Sequence, residues 1–348
     1  MDTQAALQTA RQLIDACVQG MLTERRQRAL EIGVSYEQFW QRIEQVVMAG
    51  GKRLRPLLTI IGGEGQGERI IPVAAAQELI HIAMLIHDDI IDQDFVRHGQ
   101  KNISGLYRDA YDTYLTEPLR THYANSAAIL AGDALISESY RLIYSAGFDG
   151  EVTRRLVNQL ATSIYEVIGG ELLDVEAAFV SDQVFDPLQV YRYKTASYSF
   201  VGPLLSGAYC AETDTVTIET MREFAHNIGI AYQIQDDLLG VFGDEATTGK
   251  STLSDLREGK RTLLVQYHEE RMDEAQHQRF MAFGSISATD SELKVIVRDM
   301  QVSQAREKTT EVMRQYFSEA RNRLLQLPSG KRTDELLALT DQIEGRAS

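Results

Sequence analysis

The sequence has little cysteine, proline or basic charge, and each shortage excludes a class of protein. Two cysteines, Cys17 and Cys210, are too few for a disulfide framework and match no zinc motif, so a reducing, cytoplasmic location is expected. With 35 Lys and Arg against 50 Asp and Glu, the net charge is −15, which argues against nucleic acid as a partner. Six prolines in 348 residues, and few segments rich in Val, Ile and Thr, favour helix over sheet.

Long apolar runs are also missing. The N-terminal segment carries Asp2, Arg11 and Asp15 and lacks the apolar core of a signal peptide, so no signal peptide is expected. The longest uncharged stretch, 195–211, is interrupted by serines, glycines and Pro203, so no membrane span is expected. The sequence therefore predicts a soluble protein.

Apolar residues recur at three- and four-residue intervals over most of the chain, which is typical of amphipathic helices. The predicted helical segments are 3–30, 36–48, 73–92, 124–146, 151–179, 214–242, 257–283, 291–317, 318–327 and 333–344. No Pro- or Ser-rich linker and no internal repeat divides the chain. We therefore expect a single all-α domain over residues 1–348, a bundle of about ten or more helices.

The segment 55–67, RPLLTIIGGEGQG, looks like a strand that enters a glycine-rich phosphate loop. Its glycines do not match G-x-G-x-x-G, and the segment does not end in Gly-Lys-Ser/Thr. No alternation of strands and helices follows, as a nucleotide-binding fold requires. A helix followed by a surface loop is the preferred interpretation.

Three carboxylates fall on one turn of the predicted helix 73–92. Asp88 and Asp92 are four residues apart and Asp89 lies three residues before Asp92, so all three project from one side of the helix. Leucines and isoleucines flank them, so water screens their repulsion poorly, and a divalent cation with oxygen ligands is the natural remedy. The alternative is a solvated acidic face.

A second pair of adjacent aspartates, Asp236 and Asp237, lies in the apolar predicted helix 214–242, and Asp244 returns to nearly the same face. Two inward carboxylate clusters on separate helices can hold metal ions between them. Basic residues lie near both clusters, and Lys and Arg bind phosphate oxygens through charge-assisted hydrogen bonds. Each alone is an ordinary surface charge, but together they indicate a diphosphate site: Lys52, Arg53, Arg55, Arg97, His98, Lys194, Lys250, Lys260 and Arg261.

The ordered motifs GGKRLRP, LIHDDIID, RHG, GGELLD, KTASYSF, YQIQDD and GK…DLREGK resemble those of the all-trans polyprenyl diphosphate synthases, the isoprenoid chain-elongation enzymes. The resemblance spans nearly the whole chain. It implies the isoprenoid synthase type I fold, an all-α bundle around a central cavity, as a homodimer with Mg²⁺ as cofactor. The implied reaction joins isopentenyl diphosphate head to tail to an allylic diphosphate: dimethylallyl, geranyl or farnesyl.

The resemblance also implies roles for single residues. Magnesium held between Asp88, Asp92 and Asp236 would grip the allylic diphosphate, with Asp89 and Asp237 in the same metal-binding clusters and Asp255 supporting them. Isopentenyl diphosphate would bind the GGKRLRP cations (Lys52, Arg53, Arg55), His81 and His98. The allylic diphosphate would bind Arg97, Lys194, Lys250 and Lys260, and the cation formed from it would be shielded by Thr195, Tyr198 and Gln233.

Three positions depart from the family pattern. His98 stands where the family usually has a second arginine that contacts isopentenyl diphosphate, so weaker and pH-sensitive binding is expected. Gly240 replaces the last aspartate of the second cluster and cannot be a ligand. Glu171 stands where the family generally has Gln, and nothing in the sequence explains it.

The residues one and two turns before Asp88 are expected to face the growing product: Met84, Ala83 and, deeper, Ile80. Family members that stop at farnesyl usually carry bulky aromatics at one or both of the first two positions. Ala83 leaves room, so a geranylgeranyl-sized or longer product is expected, with farnesyl diphosphate synthase as the alternative. Ordinary core packing is the other interpretation of these residues.

Other interpretations remain open. Tyr107, Tyr111 and Tyr114 are predicted in a surface loop, with a lid or a subunit contact as the alternative. A type I terpene cyclase would share magnesium-triggered ionisation but has no need of GGKRLRP. A non-catalytic subunit of a heteromeric synthase would be expected to have lost the first cluster, which is intact here.

Overall fold

The structure is a computed structural model, which describes residues 3–97, 99–179, 185–243, 252–285 and 287–347. Helices make up almost all of its regular structure, which confirms the all-α prediction. In chain order they are α1 (Thr3–Ala29), α2 (Val34–Val47), α3 (Leu54–Gly62), α4 (Ile71–Ile91), α5 (Ile103–Ala110), α6 (Glu117–Ser145), α7 (Gly150–Phe179), α8 (Pro187–Val190), a π-helix (Tyr191–Val201), α9 (Gly202–Cys210), α10 (Thr215–Phe242), α11 (Ser254–Glu258), α12 (Leu263–Glu269), α13 (Glu274–Phe280), α14 (Asp290–Val302), α15 (Ala305–Leu324) and α16 (Lys331–Glu344). Short 3₁₀ turns span Gly67–Ile70 and Gly345–Ala347.

The chain forms two compact units. Unit 1 contains Met1–Leu160 and Pro203–Thr213, and unit 2 contains Ala161–Gly202 and Asp214–Ser348. In unit 1, α4 packs against α1, α3 and α6. In unit 2, α10 packs against the π-helix and α15.

Helix α4 is largely buried in unit 1, and every residue from Val73 to Ile80 is buried. With the preceding 3₁₀ turn it forms Gly67–Ile91, which is long and apolar enough to cross a membrane by length and composition, with a mean hydropathy of 1.6. The expected absence of a membrane span therefore stays a prediction. However, 72% of its most apolar window is buried, as in the core helix of a globular protein.

The glycine-rich segment after α3 permits close helix packing. A Cβ atom on Gly62 would lie 2.3 Å from the Leu204 carbonyl oxygen, and one on Gly207 would lie 2.1 Å from that of Thr59. Only glycine lets α3 and α9 approach so closely. A helix followed by a turn is thus confirmed for 55–67, and no strand precedes the glycines.

The π-helix of unit 2 was not predicted from the sequence. In a π-helix each backbone N–H donates to the carbonyl five residues earlier rather than four, so its spacing differs from the α-helical pattern. Two glycines of the neighbouring helices make room for it. A Cβ atom on Gly170 of α7 would lie 2.2 Å from the backbone nitrogen of Lys194. One on Gly229 of α10 would lie 2.6 Å from the Cβ of Ala196.

Three of the predicted helices, 257–283, 291–317 and 318–327, differ from the structure. The prediction of one helix over 257–283 is wrong, because Gly259 adopts φ 76° and ends α11, after which Thr262 and Asp273 cap α12 and α13. The break predicted between 317 and 318 lies instead at Gln304, which has φ 59°.

A two-stranded antiparallel hairpin also follows α4, with β1 (Val96–Arg97) paired to β2 (Gln100–Lys101). It was not predicted from the sequence, since two-residue strands carry no periodicity.

Candidate active site

The first aspartate cluster lies at the C-terminal end of α4 in unit 1. The hairpin returns Arg97 to this helix end, where its Nη2 donates to Asp88 Oδ2 at 2.8 Å and its Nε donates to Asp89 Oδ1 at 2.7 Å. Asp92 is the C-cap of the helix and donates its backbone N–H to the Asp88 carbonyl at 2.8 Å. The structure therefore brings the predicted aspartate cluster and Arg97 together at the end of one helix.

The two adjacent aspartates of this cluster differ in environment. Asp89 is only 3% exposed, and burial raises its pKa to about 6 although the Arg97 guanidinium opposes the shift. The Asp88 side chain is 20% exposed and lies nearer the solvent. Burial disfavours the charged form of the Arg97 guanidinium. The carboxylates of Asp89 and Asp88 favour that form more strongly, so the pKa of Arg97 is raised. Arg97 therefore stays cationic and offsets part of the acidic charge.

Arg53 does not present its guanidinium to a ligand, contrary to the sequence-based expectation. Its backbone is left-handed at φ 52°, and its side chain is buried. Nε donates to Asp15 Oδ1 at 3.1 Å, Nη1 to Glu78 Oε1 at 2.9 Å and Nη2 to the Val47 carbonyl at 3.2 Å. With every guanidinium nitrogen bound inside the unit, Arg53 shapes the loop before α3 rather than a substrate site.

Lys52 and Arg55 flank this buried arginine at the start of α3, where Lys52 is exposed and Arg55 is half-buried. His81 lies on α4, and burial, followed by the charges of Arg55 and Arg97, holds its pKa well below the usual range. These interactions place His81 near the predicted cations. At neutral pH its imidazole is neutral and acts as a hydrogen-bonding group, not as a further positive charge.

The second aspartate pair lies in α10 of unit 2, and again the first aspartate is exposed while the second is buried. The Asp236 side chain is 55% exposed and lies 3.6 Å from Arg346 Nη2. Asp237 is buried, and its two carboxylate oxygens accept hydrogen bonds from the Tyr191 hydroxyl and from Gln233 Nε2, the latter at 2.8 Å. Burial raises the pKa of Asp237 to about 8 although both donors oppose the shift. Asp237 therefore faces the interior, where its oxygens are already bound.

The π-helix carries the other predicted catalytic residues of unit 2. Thr195 Oγ1 donates to Gln233 Oε1 at 2.7 Å, which extends the hydrogen-bonded chain from Asp237. Lys194 Nζ donates to Asp174 Oδ2 at 2.6 Å and to Glu171 Oε1 at 3.1 Å, so Glu171 acts as a partner of the lysine. Tyr198 lies half-buried on the same helix.

Asp255 lies beside the position at which the second cluster has glycine instead of aspartate. A Cβ atom on Gly240 would lie 2.7 Å from Asp255 Oδ2. The Lys260 backbone N–H donates to the Asp255 carbonyl at 3.0 Å, and Lys260 Nζ lies 3.7 Å from Asp255 Oδ1. The Asp255 carboxylate therefore occupies the space that a longer side chain at position 240 would need.

Two predicted substrate-binding residues, His98 and Lys250, lie outside the described residues, as does Asp244. Among the described residues no group of three or more His, Cys, Asp and Glu side chains could hold a metal ion by itself. The donors at each cluster are carboxylate oxygens, and magnesium is commonly bound by one or two carboxylates together with water and phosphate oxygens. The residues present therefore fit Mg²⁺ that arrives with a phosphate ligand.

The predicted chain-length residues lie on α4 in unit 1. Ile80 and Ala83 are fully buried, and Met84 is half-buried. Their placement does not separate a product-binding role from ordinary core packing, so that role stays a prediction.

The tyrosines predicted in a surface loop are divided between a helix and the turn after it. Tyr107 lies in α5, is 5% exposed and packs under the Arg42 guanidinium at 4.6 Å, so the loop prediction is wrong for this residue. Tyr111 is the C-cap of α5 and stacks on Tyr107, with ring centroids 6.4 Å apart. Tyr114 is 80% exposed, as expected for a surface position.

Together, the all-helical fold, the paired aspartates and the cations around them are those of the chain-elongating prenyltransferases, the all-trans polyprenyl diphosphate synthases. A sequence model of the polyprenyl synthetase family matches residues 37–300, and the chain belongs to this family. The family and enzyme class inferred from the motifs are thus confirmed.

Similar proteins include the short chain isoprenyl diphosphate synthase of Methanocaldococcus jannaschii, 32% identical over 276 residues, which are 77% of each chain. The geranylgeranyl diphosphate synthase of Sulfolobus acidocaldarius is 34% identical over 258 residues, 70% of this chain and 71% of the relative. A crystal structure of geranylgeranyl pyrophosphate synthase from Corynebacterium glutamicum, complexed with isoprenyl diphosphate and magnesium, matches with a TM-score of 0.90 and 28% identity over 99% of this chain and 100% of that one.

Proposed function

We propose that this prenyltransferase joins isopentenyl diphosphate to an allylic diphosphate, head to tail and in the trans configuration, with Mg²⁺ as cofactor. The observation that carries the proposal is the end of α4, where Arg97 holds Asp88 and Asp89 together and leaves Asp88 nearer the solvent. Asp236 repeats this outward placement in unit 2. Further support comes from the Corynebacterium glutamicum relative, whose structure holds isoprenyl diphosphate and magnesium.

In this proposal Asp88, Asp92 and Asp236 hold the metal. Magnesium, when bound, supplies Lewis-acid stabilisation of the departing diphosphate. Arg97, Lys194, Lys250 and Lys260 bind phosphate oxygens of the allylic substrate by charge-assisted hydrogen bonds. Lys194 first exchanges its carboxylate partners for the diphosphate, which carries more negative charge.

Isopentenyl diphosphate is proposed to bind Lys52 and Arg55, with His98 as a further candidate and His81 as a neutral hydrogen-bonding group. Thr195, Gln233 and Tyr198 face the allylic cation in this scheme. The hydrogen bonds from Thr195 to Gln233 and from Gln233 to Asp237 fix the orientation of the amide before substrate arrives. Such preorganised dipoles stabilise a developing charge without reorganising during the reaction.

The proposed product is geranylgeranyl-sized or longer, with farnesyl as the alternative. The small side chain of Ala83, buried on α4 close before the first cluster, supports the longer product. Curated relatives include a geranylfarnesyl diphosphate synthase of Aeropyrum pernix, 36% identical, and a farnesyl diphosphate synthase of Bacillus subtilis, also 36% identical. Similarity alone therefore leaves the chain length to experiment.

One assay tests this function. Purified protein is incubated with Mg²⁺, isopentenyl diphosphate and each allylic primer in turn, and the products are dephosphorylated and sized. Linear trans-prenyl alcohols support the proposal, cyclic hydrocarbons would indicate a terpene cyclase, and no product without a partner would indicate a non-catalytic subunit. The Asp88→Asn variant serves as a control that should lose the product.

We further propose a cytoplasmic homodimer in which residues 1–348 act as one domain. Tyr165, Ile168 and Leu172 share one face of α7 in unit 2 and are 82%, 58% and 65% exposed, which is typical of an association surface. The two cysteines are free thiols, which fits a reducing compartment. Light scattering should give twice the chain mass of 39.1 kDa.

A further inference from the structure

The phenol of Tyr191 joins two parts of unit 2 through one oxygen atom. Tyr191 is the first residue of the π-helix and is 4% exposed. Its hydroxyl donates a hydrogen bond to Asp237 Oδ2 and accepts one from the backbone N–H of Leu263 at 2.8 Å.

Both ends of this link lead to residues of the proposed site. Asp237 follows Asp236 in α10, and its other oxygen accepts from Gln233, which in turn accepts from Thr195. Leu263 is the first residue of α12 and comes three positions after Lys260, a proposed diphosphate ligand. One buried oxygen atom therefore connects the second aspartate pair with the segment that carries Lys260.

A tyrosine suits this position because a phenol is both a donor and an acceptor. A buried carboxylate oxygen without a hydrogen bond is unfavourable, and so is a buried N–H in the first turn of a helix. The Tyr191 hydroxyl satisfies both groups at once, since it donates to Asp237 and accepts from the Leu263 N–H with the same oxygen atom.

We infer that Tyr191 is a positioning residue, whose hydroxyl fixes the segment bearing Lys260 relative to Asp236 and Asp237. The inference rests on the proposed function for its consequence in catalysis. Tyr191 itself touches no substrate in this scheme. It acts through Asp237 on one side and through the start of α12 on the other.

The Tyr191→Phe variant tests the inference, since the ring volume is kept while Asp237 Oδ2 and the Leu263 N–H lose this partner. We expect kcat to fall by roughly 10- to 100-fold, as is typical when a partner of a binding group is removed. The KM for isopentenyl diphosphate should stay unchanged, because its proposed ligands lie in unit 1. Binding of inorganic pyrophosphate with Mg²⁺, measured by calorimetry, should weaken, and the Leu263 amide should exchange hydrogen faster.

Two control variants distinguish a positioning role of Tyr191 from a general loss of stability. Tyr209→Phe alters a tyrosine of α9 in unit 1, whose ring lies under Arg155 at 4.3 Å, and should leave all four measurements unchanged. Thr262→Ala removes the cap of α12, where Thr262 Oγ1 accepts from the Val265 N–H at 3.3 Å, without touching Asp237. It should speed amide exchange at the start of α12 but lower kcat less than Tyr191→Phe does.

The inference is overturned if Tyr191→Phe behaves like Tyr209→Phe, or if it lowers kcat no more than Thr262→Ala. Pyrophosphate binding and amide exchange do not require turnover. If the native protein makes no prenyl product while Tyr191→Phe still weakens pyrophosphate binding, the proposed reaction fails and the positioning role stands. If the native protein turns over and the variant matches it throughout, the positioning role alone fails.

Discussion

Asp88 and Asp236 lie nearer the solvent than the aspartate that follows each of them. Asp89 and Asp237 are buried, and both accept side-chain hydrogen bonds, from Arg97 in unit 1 and from Tyr191 and Gln233 in unit 2. A buried carboxylate is tolerated only when its oxygens are bound, so the inner residue of each pair is engaged inside the protein. The outer residue is left to contact a ligand.

Exchange of side chains between positions 240 and 255 tests whether Asp255 replaces a third aspartate. Asp255→Gly should lower kcat by roughly 10- to 100-fold. Gly240→Asp alone should also impair the enzyme, because its Cβ would lie 2.7 Å from Asp255 Oδ2. The double variant should recover activity, with a coupling energy of roughly 1–3 kcal/mol in a double-mutant cycle on kcat. Additive losses would contradict the replacement.

His226 of α10 should make the protein sensitive to acid. Burial, then Arg192 and Arg222, lowers its pKa from 6.5 to about 4, and its Nδ1 has no hydrogen-bond partner among the described residues. Below pH 6.5 the unfolded chain takes up a proton that the folded chain does not, so stability falls as the pH drops toward 4. The loss between pH 7 and pH 5 should be about 1–2 kcal/mol.

Urea unfolding of the His226→Gln variant measures this contribution. Its free energy of unfolding should fall less between pH 7 and pH 5 than that of the native chain. His277→Gln, at an exposed histidine of α13, is the matched control and should follow the native chain. Parallel curves for all three proteins would show that His226 does not contribute to the acid sensitivity.

At the residue scale, the sequence predicted which side chains share a local face better than it predicted what each charged side chain binds. The spacing of Asp88 and Asp92 is local, so their shared face could be predicted. The burial of Arg53 could not be, because its partners Asp15 and Glu78 are 38 and 25 residues away. Charge alone does not tell a lysine or arginine that binds a ligand from one that pairs inside the protein.

Among the elements, the packing of the π-helix depends on glycine residues in the neighbouring helices α7 and α10. Gly170→Ala should destabilise the protein by about 1–3 kcal/mol, because the new Cβ would lie 2.2 Å from the Lys194 backbone nitrogen. It should also lower kcat, since Lys194 must shift. Gly169→Ala is the control: nothing lies within 4 Å of its Cβ, so helix propensity should leave it at least as stable as the native chain. Equal melting temperatures for the two variants would refute this dependence.

Helix α4 is expected to set the length of the product. Ala83→Phe should shorten the longest prenyl chain by at least one five-carbon unit, because a large ring would fill the space proposed for the tail. Chain-length analysis of the dephosphorylated products measures the effect. An unchanged distribution from a folded, active variant would assign Ala83 to core packing alone.

Most of the long helices were predictable and the short elements were not. Among the long ones, α6 begins at Glu117 rather than at 124, and α15 is not divided at 317. α4, α7 and α10 repeat their apolar pattern over many turns, so the predicted ends lie within two residues of the observed ones. The hairpin at Arg97 and the π-helix are set by tertiary packing, which a local pattern does not record. The three short helices from Ser254 to Phe280 depend on one left-handed glycine and two caps.

For the whole molecule, the acidic charge and the paired clusters predict how unfolding responds to ligands. Mg²⁺ alone should leave the melting temperature nearly unchanged, since no described group of three side chains holds a metal. Mg²⁺ with pyrophosphate at about 100 times its dissociation constant should stabilise by about 2.7 kcal/mol. Asp92→Asn should reduce the shift seen in differential scanning fluorimetry. An equal shift from Mg²⁺ alone would point to a preformed metal site instead.

The fold class and the order of the motifs could be predicted because both are carried along the chain. Membership of α9 in unit 1 could not, since it follows from contacts such as that of Gly207 with Thr59, 148 positions apart by the sequence numbering. Long-range packing of this kind leaves no periodic signal.

The extra residue in each turn of Tyr191–Val201 has a bearing on how relatives should be aligned. Deleting one position there would tighten part of the segment toward α-helical winding, and the side chains inside the segment would rotate about the helix axis while the helix beyond it keeps its phase. Lys194 would then turn away from Asp174, and Thr195 from Gln233, although neither residue had been replaced. A one-residue gap in this stretch should therefore be weighted as heavily as the loss of an active-site side chain.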